Sequence, residues 1–259
     1  MIKPTASLKT LPGKSNAQLL TFDDGQDYVV KSWKPEYPRS LANEWLGYAI
    51  ARYLQLPVPF GRIVEFPAEF LNEQQEAENG EKMQQHFASL FVPDCINGHE
   101  VGRIETLTNT PESLAGIILF DYWVANRDRT RKNILFQPAE QQGVYQLWAI
   151  DQAEILTGFD WNLSELEQLP TELIKSTAHK MLIEFIDHEQ YFYQQLEVIQ
   201  SIPILLLEEI VELIPEKWEV TKEERKAIIT ALLHRRHKVL PKVMERFLKR
   251  IYRPIKEGK

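Results

Sequence analysis

Residues 126–133 read Asn-Arg-Asp-Arg-Thr-Arg-Lys-Asn, a polar run that separates an apolar helix pattern from an apolar strand pattern. Within this run Asp128 and Asn133 lie five positions apart, and Asp151 follows eighteen positions later, directly after the apolar stretch 147–150. Phosphoryl transfer from ATP needs a carboxylate that accepts a hydroxyl proton and nearby oxygen ligands that hold a divalent metal. A loop between two buried elements and a carboxylate at a strand end can present these groups to one cleft. The spacing therefore predicts a phosphoryl-transfer site.

The spacing by itself leaves structural alternatives open. Asp121 and Asn126 are also five positions apart. Asp121, however, falls inside the apolar helix pattern 117–123, where we expect a capped or hydrogen-bonded structural aspartate. Asp128 and Asn133 could also form a plain turn, because Asp and Asn are common turn residues. The choice between a turn and a catalytic loop depends on partners elsewhere in the chain.

Three features upstream supply such partners. Lys31 lies inside a strand pattern and is either an edge-strand lysine or a cleft lysine that contacts phosphates. Glu44 lies in the following helix pattern and is either solvated or the carboxylate that holds this lysine. Gly13-Lys14-Ser15 precede these strands and, with one glycine, could cover phosphates with backbone N–H groups. The order of loop, strand lysine, helix glutamate, Asp-x4-Asn and strand-end Asp matches the parts of a protein kinase.

Hydrophobic patterning divides the chain into a strand-rich first part and a helical second part. The predicted strands are residues 17–22, 27–33, 60–66, 86–92, 134–136 and 144–150, and the predicted helices are residues 40–54, 111–123, 181–186, 188–199, 204–213 and 222–251. The Glu/Gln-rich residues 72–85 are predicted to form a mobile surface loop. We therefore expect an α+β fold, with residues 1–92 as the N-terminal lobe and residues 93–259 as a helical C-terminal lobe.

The composition is that of an ordinary globular protein, with 259 residues of which 44% are hydrophobic and 26% are charged. The single cysteine, Cys95, excludes an internal disulfide framework and a cysteine zinc cluster, and it fits a reducing compartment. Neither a leader pattern nor a membrane-spanning stretch is visible in the sequence. We therefore expect a cytoplasmic protein without membrane insertion.

Charge is distributed unevenly along the chain. The net charge of −7 argues against a nucleic-acid partner, yet residues 225–259 hold twelve Lys and Arg against two Glu. The basic face of this C-terminal helix is either solvated, packed on an acidic neighbour, or a docking surface for an anionic protein partner. The run 126–133 is also basic, and we expect its positive charge to suit phosphate.

Several stretches of the chain resemble the HipA-like kinases. In the N-terminal part they are Tyr-Val-Val-Lys at 28–31, Asn-Glu-Trp-Leu at 43–46 and Leu-Pro-Val-Pro at 56–59. In the second part they are Phe-Asp-Tyr-Trp-Val-Ala-Asn-Arg-Asp at 120–128, Asn-Ile-Leu at 133–135 and Ala-Ile-Asp at 149–151. More distantly, the Asp-Arg pair ahead of the Asn is similar to the catalytic core of phosphatidylinositol 3/4-kinases. The resemblance covers nearly the whole chain and implies a bilobal protein-kinase-like fold.

The resemblance implies a role for each candidate residue. Asp128 would be the catalytic base, and Asn133 and Asp151 would bind Mg2+. Lys31 would contact the phosphates of ATP, and Glu44 would hold that lysine in place.

The resemblance also implies ATP and Mg2+ as cofactors and a protein or small-molecule hydroxyl as acceptor. Residues 13–15 would lie over the phosphates, and residues 89–96 would form the hinge that receives adenine. Ser15, Thr130 and Thr157 are either acceptors of self-phosphorylation or plain capping and turn hydroxyls. Two other functions stay open, a nucleotidyl transferase of kinase fold that moves AMP and a pseudokinase that regulates a partner.

Overall fold

The computed structural model describes residues 2–65 and 85–258 of the chain. The predicted loop 72–85 therefore lies outside the described residues, apart from Gln85, which begins a strand. The described residues confirm the α+β class, with a β-sheet and one helix in the first part and mostly helices in the second. The exact residue that divides the two lobes, predicted near residue 92, stays a prediction.

Among the described residues, the N-terminal sheet contains five antiparallel strands in the order β1-β2-β3-β5-β4. Their bounds are β1 Pro4–Thr10, β2 Gln18–Phe22, β3 Asp27–Lys31, β4 Gly61–Glu65 and β5 Gln85–Leu90. The strands have an apolar cluster of their own, formed by Leu20, Phe22, Tyr28, Val30, Val64 and Ala88. The predicted hairpin of β2 and β3 is confirmed, and Lys31 is its last strand residue.

Strand β1 was not expected from the sequence pattern. It pairs with β2 at the edge of the sheet, and every residue after Pro4 is exposed. Its pairing with β2 is interrupted by two register shifts. Because both faces of this edge strand meet solvent, its residues need no apolar alternation, and the usual strand signal is missing.

Helix α1, Ser40–Tyr53, follows β3 and packs against β4 and β5. It buries an apolar set of side chains together with two polar ones, Asn43 and Glu44. Buried amide and carboxylate groups require hydrogen-bond partners, since their desolvation is otherwise unfavourable. The polar residues of α1 therefore indicate a polar site between this helix and the C-terminal lobe.

Helix α2, Pro111–Trp123, lies at the centre of the C-terminal lobe and has the predicted bounds. Thr110 caps its N-terminus by accepting a hydrogen bond from the N–H of Ser113 at 3.3 Å, and Pro111 occupies the first turn. The helix carries apolar side chains on all sides, and residues 114–123 are all buried, as expected for a central core helix. Its C-terminus leads directly into the run 126–133.

Among residues 85–258, a small four-stranded sheet with the order β6-β8-β9-β7 adjoins this run, and β8 begins directly after it. The strands are β6 Ile96–Asn97, β7 Thr106–Leu107, β8 Ile134–Pro138 and β9 Val144–Ala149. The predicted β8–β9 hairpin is confirmed, whereas β6 and β7 have two residues each and are too short to give a pattern. Asn133 directly precedes β8, and Asp151 follows β9 by two positions.

Further helices complete the C-terminal lobe. They are α3 Leu163–Glu167, α4 Thr177–Glu184, α5 Gln190–Ser201, α6 Ile204–Glu212, α7 Lys222–His234, α8 Leu240–Phe247 and α9 Arg253–Lys256. Helix α3 was not predicted, and the predicted long final helix is interrupted by two π-helical stretches, Arg235–Val239 and Leu248–Tyr252. None of the helices in residues 2–65 and 85–258 combines the length and apolarity that a membrane crossing requires.

Part of the positive charge of the final helix is used inside the protein. Arg225 donates to the carbonyls of Val211 and Ile214 near the end of α6, at 2.6 and 2.7 Å. Arg235 donates to the carbonyl of Trp123 at the end of α2, at 2.7 Å. Cations stabilise the partial negative charge of helix C-termini. These two arginines therefore pack against neighbouring helices and are not part of a solvated or docking surface. The exposed lysines of this segment are Lys226, Lys238, Lys242, Lys249 and Lys256.

Candidate active site

Lys31, Glu44 and Asp151 meet between the lobes, although they come from β3, α1 and the segment after β9. The Nζ of Lys31 contacts Oε1 of Glu44 and lies 3.0 Å from Oδ1 of Asp151. The other oxygen of Glu44, Oε2, accepts a hydrogen bond from the backbone N–H of Gln152 at 3.1 Å. The fold thus joins three sequence-predicted site residues into one charged cluster.

The charges of this cluster determine one another. Burial disfavours the cation of Lys31, but the carboxylates of Asp151 and Glu44 outweigh burial and hold the pKa of Lys31 above its usual range. Burial also disfavours the anion of Asp151, but Lys31 and several hydrogen bonds hold the pKa of Asp151 well below its usual range. Glu44 is only 3% exposed, and burial raises its pKa to about 7. Asp151 is therefore a stable anion that can bind a cation.

Asp128 and Asn133 are joined across the polar loop. The Nδ2 of Asn133 donates to the backbone oxygen of Asp128 at 2.6 Å and to its Oδ2 at 3.0 Å. The Oδ1 of Asn126 accepts a hydrogen bond from the backbone N–H of Asp128 at 3.1 Å. Because the amide nitrogen of Asn133 is engaged by Asp128, a metal would bind Asn133 through Oδ1.

Asp121 has the structural role that its place in an apolar helix suggests. Its carboxylate accepts hydrogen bonds from Nδ2 of Asn126 at 2.9 Å and from Nε of Arg129 at 3.1 Å. Nε2 of His179 lies 2.9 Å from the same carboxylate. The pair Asp121 and Asn126 therefore belongs to a buried hydrogen-bond network that holds the polar loop in place.

The basic loop does not direct all of its charge toward a phosphate. Arg129 is 1% exposed, and its guanidinium donates to the carbonyls of Asn133 at 3.2 Å and Ile150 at 2.6 Å. Arg131 donates to two backbone carbonyls of the segment 98–101. The expectation that the loop's positive charge suits phosphate is therefore wrong for these two arginines, whose hydrogen bonds fix the loop in place.

A cavity of about 690 Å³ lies between the lobes and is bordered by this cluster. Its polar lining includes Lys31, Glu44, Asn133 and Asp151. Its apolar lining includes Val29, Tyr48, Val58, Phe87, Leu135 and Ile150. The volume is in the range of small-molecule sites, and a mostly apolar wall with a few charged groups is typical of such sites.

The predicted phosphate loop borders the same region. Gly13 lines the main cavity, and Lys14 and Ser15 line an adjoining cavity of about 60 Å³ that Asp128 also borders. Gly13 has a φ of 135°, and a Cβ there would meet no atom within 4 Å, so backbone conformation rather than crowding favours glycine. The Nζ of Lys14 lies 3.5 Å from Oε1 of Glu154, so the loop reaches the segment after Asp151.

The predicted hinge is only partly at the cavity. Of residues 89–96, residues 89–92 line it. The N–H of Phe91 donates to the carbonyl of Asp27 at 2.8 Å, and Pro93 has no N–H. Within residues 89–96, Val92 is therefore the last cavity-lining residue with a backbone N–H.

Sequence reasoning missed Asn43, Arg129 and Gln152 as parts of the site. All three are buried and contact the segments that carry the predicted residues. Asn43 had a usable signal, because asparagine is a poor helix former and lies here among apolar residues of α1. Arg129 had none, since no pattern distinguishes a buried arginine from its exposed neighbours.

A strand lysine paired with a helix glutamate, a polar Asp-x4-Asn loop and a strand-end aspartate surround a cleft between two lobes. Together they define a protein with the protein-kinase-like fold. A family model described as HipA-like kinase matches residues 8–251. The chain belongs to the HipA-like kinase family, and this membership supports a kinase-type phosphotransferase in general terms.

The fold is similar to that of a solved kinase structure. The chain is similar to the proinflammatory kinase CtkA of Helicobacter pylori, with 14% identity, a TM-score of 0.60 and coverage of 94% of this chain and 95% of that chain. A looser similarity is to the Golgi casein kinase with Mn/ADP bound, with 13% identity, a TM-score of 0.49 and coverage of 96% and 73%. Another is to the HipA, HipB and operator DNA complex of Shewanella oneidensis MR-1, with 13% identity, a TM-score of 0.44 and coverage of 93% and 68%. At this identity the similarity to CtkA shows the fold alone, and no curated protein matches the chain.

Proposed function

We propose that the protein is an ATP- and Mg2+-dependent phosphotransferase that moves the γ-phosphate of ATP to a hydroxyl group. The observation that supports this most directly is the convergence of Lys31, Glu44, Asn133 and Asp151 at one cavity of nucleotide size, beside a loop that presents Asp128. Family membership supports the same class of reaction.

ATP would enter with its base in the apolar part of the cavity. Val92 lines this region, and its backbone N–H would donate to the edge of adenine. Lys31 would contact the α- and β-phosphates, held by Glu44, and Gly13-Lys14-Ser15 would lie over the phosphates. The lysine is already oriented by two carboxylates, so it would need little rearrangement when the nucleotide binds.

The residues present fit a magnesium ion. The carboxylate of Asp151 and the amide oxygen of Asn133 are hard oxygen ligands, which Mg2+ prefers. Among the described residues, no group of three or more His, Cys, Asp and Glu could hold a metal. Mg2+ commonly binds through one or two protein groups plus the phosphates of its nucleotide, so this sparse donor set suits a metal that arrives with ATP. Once bound, the ion would neutralise charge on the transferred phosphoryl group.

Asp128 would act on the acceptor hydroxyl. One of its oxygens, Oδ2, is held by Asn133 at 3.0 Å, which orients the carboxylate. As the acceptor oxygen bonds to the γ-phosphorus, Asp128 takes the hydroxyl proton, and the bond from that phosphorus to ADP breaks. Ser15 borders the same small cavity as Asp128, so we expect it to be the first acceptor in self-labelling, ahead of Thr130 and Thr157.

The test compares Asp128→Asn with Asp160→Asn, which removes an exposed carboxylate outside the site. Purified proteins are incubated with Mg2+ and ATP labelled on either the γ- or the α-phosphate, followed by phosphopeptide mapping. We expect γ-label on the wild type and on Asp160→Asn, and about a thousandfold less on Asp128→Asn. Equal labelling of Asp128→Asn would contradict its role. Label from the α-phosphate would instead identify AMP transfer, and nucleotide binding without any transfer would identify a pseudokinase.

A further inference from the structure

The segment that carries Asp151 has an unfavourable backbone conformation. Asp151, Leu156 and Thr157 have positive φ values of 62°, 56° and 84°, and Gly158 follows with 144°. This region is unfavourable for residues with a Cβ, and most of all for a β-branched threonine. Such strain persists only where neighbouring groups hold it, and it is concentrated at functional sites.

Asn43 holds this segment from the N-terminal lobe. Its side chain is fully buried, and its Nδ2 donates to the carbonyls of Ala153 at 2.7 Å and Gly158 at 2.8 Å. A third carbonyl, that of Ile155, lies 3.1 Å from the same nitrogen. The Oδ1 of Asn43 accepts a hydrogen bond from Nε1 of Trp161 at 2.9 Å, which fixes the orientation of the amide. One side chain of α1 thus contacts the segment at several successive points.

Arg129 holds the same segment from the catalytic loop. Its guanidinium donates to the carbonyl of Ile150 at 2.6 Å and to Oε1 of Gln152 at 2.8 Å, on either side of Asp151. It also donates to the carbonyl of Asn133 at 3.2 Å. One rigid cation therefore fixes the spacing between the two segments that carry the candidate metal ligands.

We propose that Asn43 and Arg129 are positioning residues that clamp the segment 150–158 between the lobes. The clamp holds Asp151 in its metal-binding position before a nucleotide binds and without modification of Thr157. This inference rests on the proposed function, because it states that the affinity of the site for a metal nucleotide depends on the clamp. It also assigns a mode of regulation, since a segment already held in place needs no phosphorylation to order it.

If the clamp positions Asp151, its loss should weaken the binding of a metal nucleotide and leave the binding of adenosine unchanged. Adenosine has no phosphates, so its binding depends on the apolar cavity and not on the place of Asp151. The binding of ATP with Mn2+ requires the oxygen ligands of Asn133 and Asp151 to be correctly positioned. Loss of a group that orients metal ligands commonly lowers metal affinity by about 10- to 100-fold. If Asn43 or Arg129 had a merely structural role, its substitution would lower the affinity for Mn2+-ATP and for adenosine equally.

The test measures the Kd of Mn2+-ATP and of adenosine for the wild type, Asn43→Ala and Arg129→Lys by calorimetry. We expect the Kd of Mn2+-ATP to rise about tenfold or more in both variants, with the Kd of adenosine within about twofold of wild type. The matched control is Asn162→Ala, which removes the N-cap of α3 outside the clamp and should leave both constants unchanged.

A second readout uses no nucleotide. Hydrogen exchange of the backbone amides in 152–158 should be about tenfold faster in Asn43→Ala and Arg129→Lys than in the wild type, because the strained segment loses its restraint. If either variant fails to fold, Gln152→Leu replaces it. This substitution removes only the side-chain contact to Arg129 and keeps the amide that binds Glu44.

The outcomes separate the two proposals. Unchanged Mn2+-ATP affinity together with unchanged hydrogen exchange overturns the clamp, and so does an equal loss of Mn2+-ATP and adenosine binding. If the wild type binds neither ligand, the proposed function fails, and the exchange measurement alone still decides whether the clamp holds the segment.

Discussion

Replacing Glu44 by glutamine should change how the stability of the protein depends on pH. The cluster contains Lys31, whose pKa lies above its usual range, and Asp151, whose pKa lies well below it. Only Glu44, whose pKa burial raises to about 7, titrates between about pH 5 and pH 8. The substitution Glu44→Gln therefore removes the one group of the cluster that changes its charge in this range.

The sign and size follow from the two states of the chain. The unfolded protein releases the proton of Glu44 near its ordinary pKa of 4.5, whereas the folded protein keeps it up to about 7. Between these values the folded state binds more protons, so the stability due to this proton is present at low pH and is lost as the pH rises through 7. Since one pKa unit corresponds to about 1.4 kcal/mol and the two pKa values are 4.5 and about 7, the loss is at most about 3.5 kcal/mol.

The assay is urea unfolding, without nucleotide or divalent metal, at several pH values and constant ionic strength. The free energy of unfolding of the wild type minus that of Glu44→Gln should fall by about 1 to 3 kcal/mol from pH 5 to pH 8. The control Glu36→Gln removes an exposed carboxylate near α1, and its free energy of unfolding should change with pH as that of the wild type does. A difference that stays constant, or that grows with pH, would refute the reasoning, because the ion pair with Lys31 would then outweigh burial.

Three other substitutions test the arrangement around the site. Thr157→Gly should raise the free energy of unfolding by about 1 kcal/mol in urea titrations, since glycine tolerates a φ of 84°, and a destabilised variant would contradict the strain. Gly98→Ala would place a Cβ against the backbone oxygen of Arg131, so we expect about tenfold weaker self-labelling. Gly102→Ala is the control that should label like the wild type, because a Cβ at that position meets no atom within 4 Å. Arg235→Met should destabilise the fold by about 2 to 4 kcal/mol in the same unfolding assay, because buried carbonyls at the end of α2 lose their donor, and a change below about 0.5 kcal/mol would show that this contact is dispensable.

Elements with a strong period were predictable from the sequence. Helix α2 has the bounds that its proline start and apolar run indicate, and the β2–β3 and β8–β9 hairpins lie where turn residues separate apolar stretches. Strands β6 and β7 were not predictable, because two residues cannot show a period and their pairing depends on β8 and β9. Edge strand β1 was not predicted for a related reason, since it has no buried face that would impose an apolar alternation on its sequence.

The site divides in the same way. Asp128, Asn133 and Asp151 could be selected by residue type and spacing, and Lys31 and Glu44 by their order along the chain. The structure places all five residues around adjoining cavities, while their roles remain proposals that the labelling experiment tests. The supporting residues could not be selected, because an arginine that fixes carbonyls and an arginine that meets solvent have the same sequence signature.

The sequence by itself determined the secondary structure of the main elements, the family of the chain and the set of groups that could act on a phosphate. These properties depend on local patterns and on residue types, which are present before the chain folds. The tertiary structure alone decided that Lys31 meets Asp151 and that Arg129 faces inward. It also decided that burial raises the pKa of Glu44 to about 7. The physical reason is that ionisation and hydrogen bonding depend on burial and on distances of a few ångströms between residues far apart in sequence.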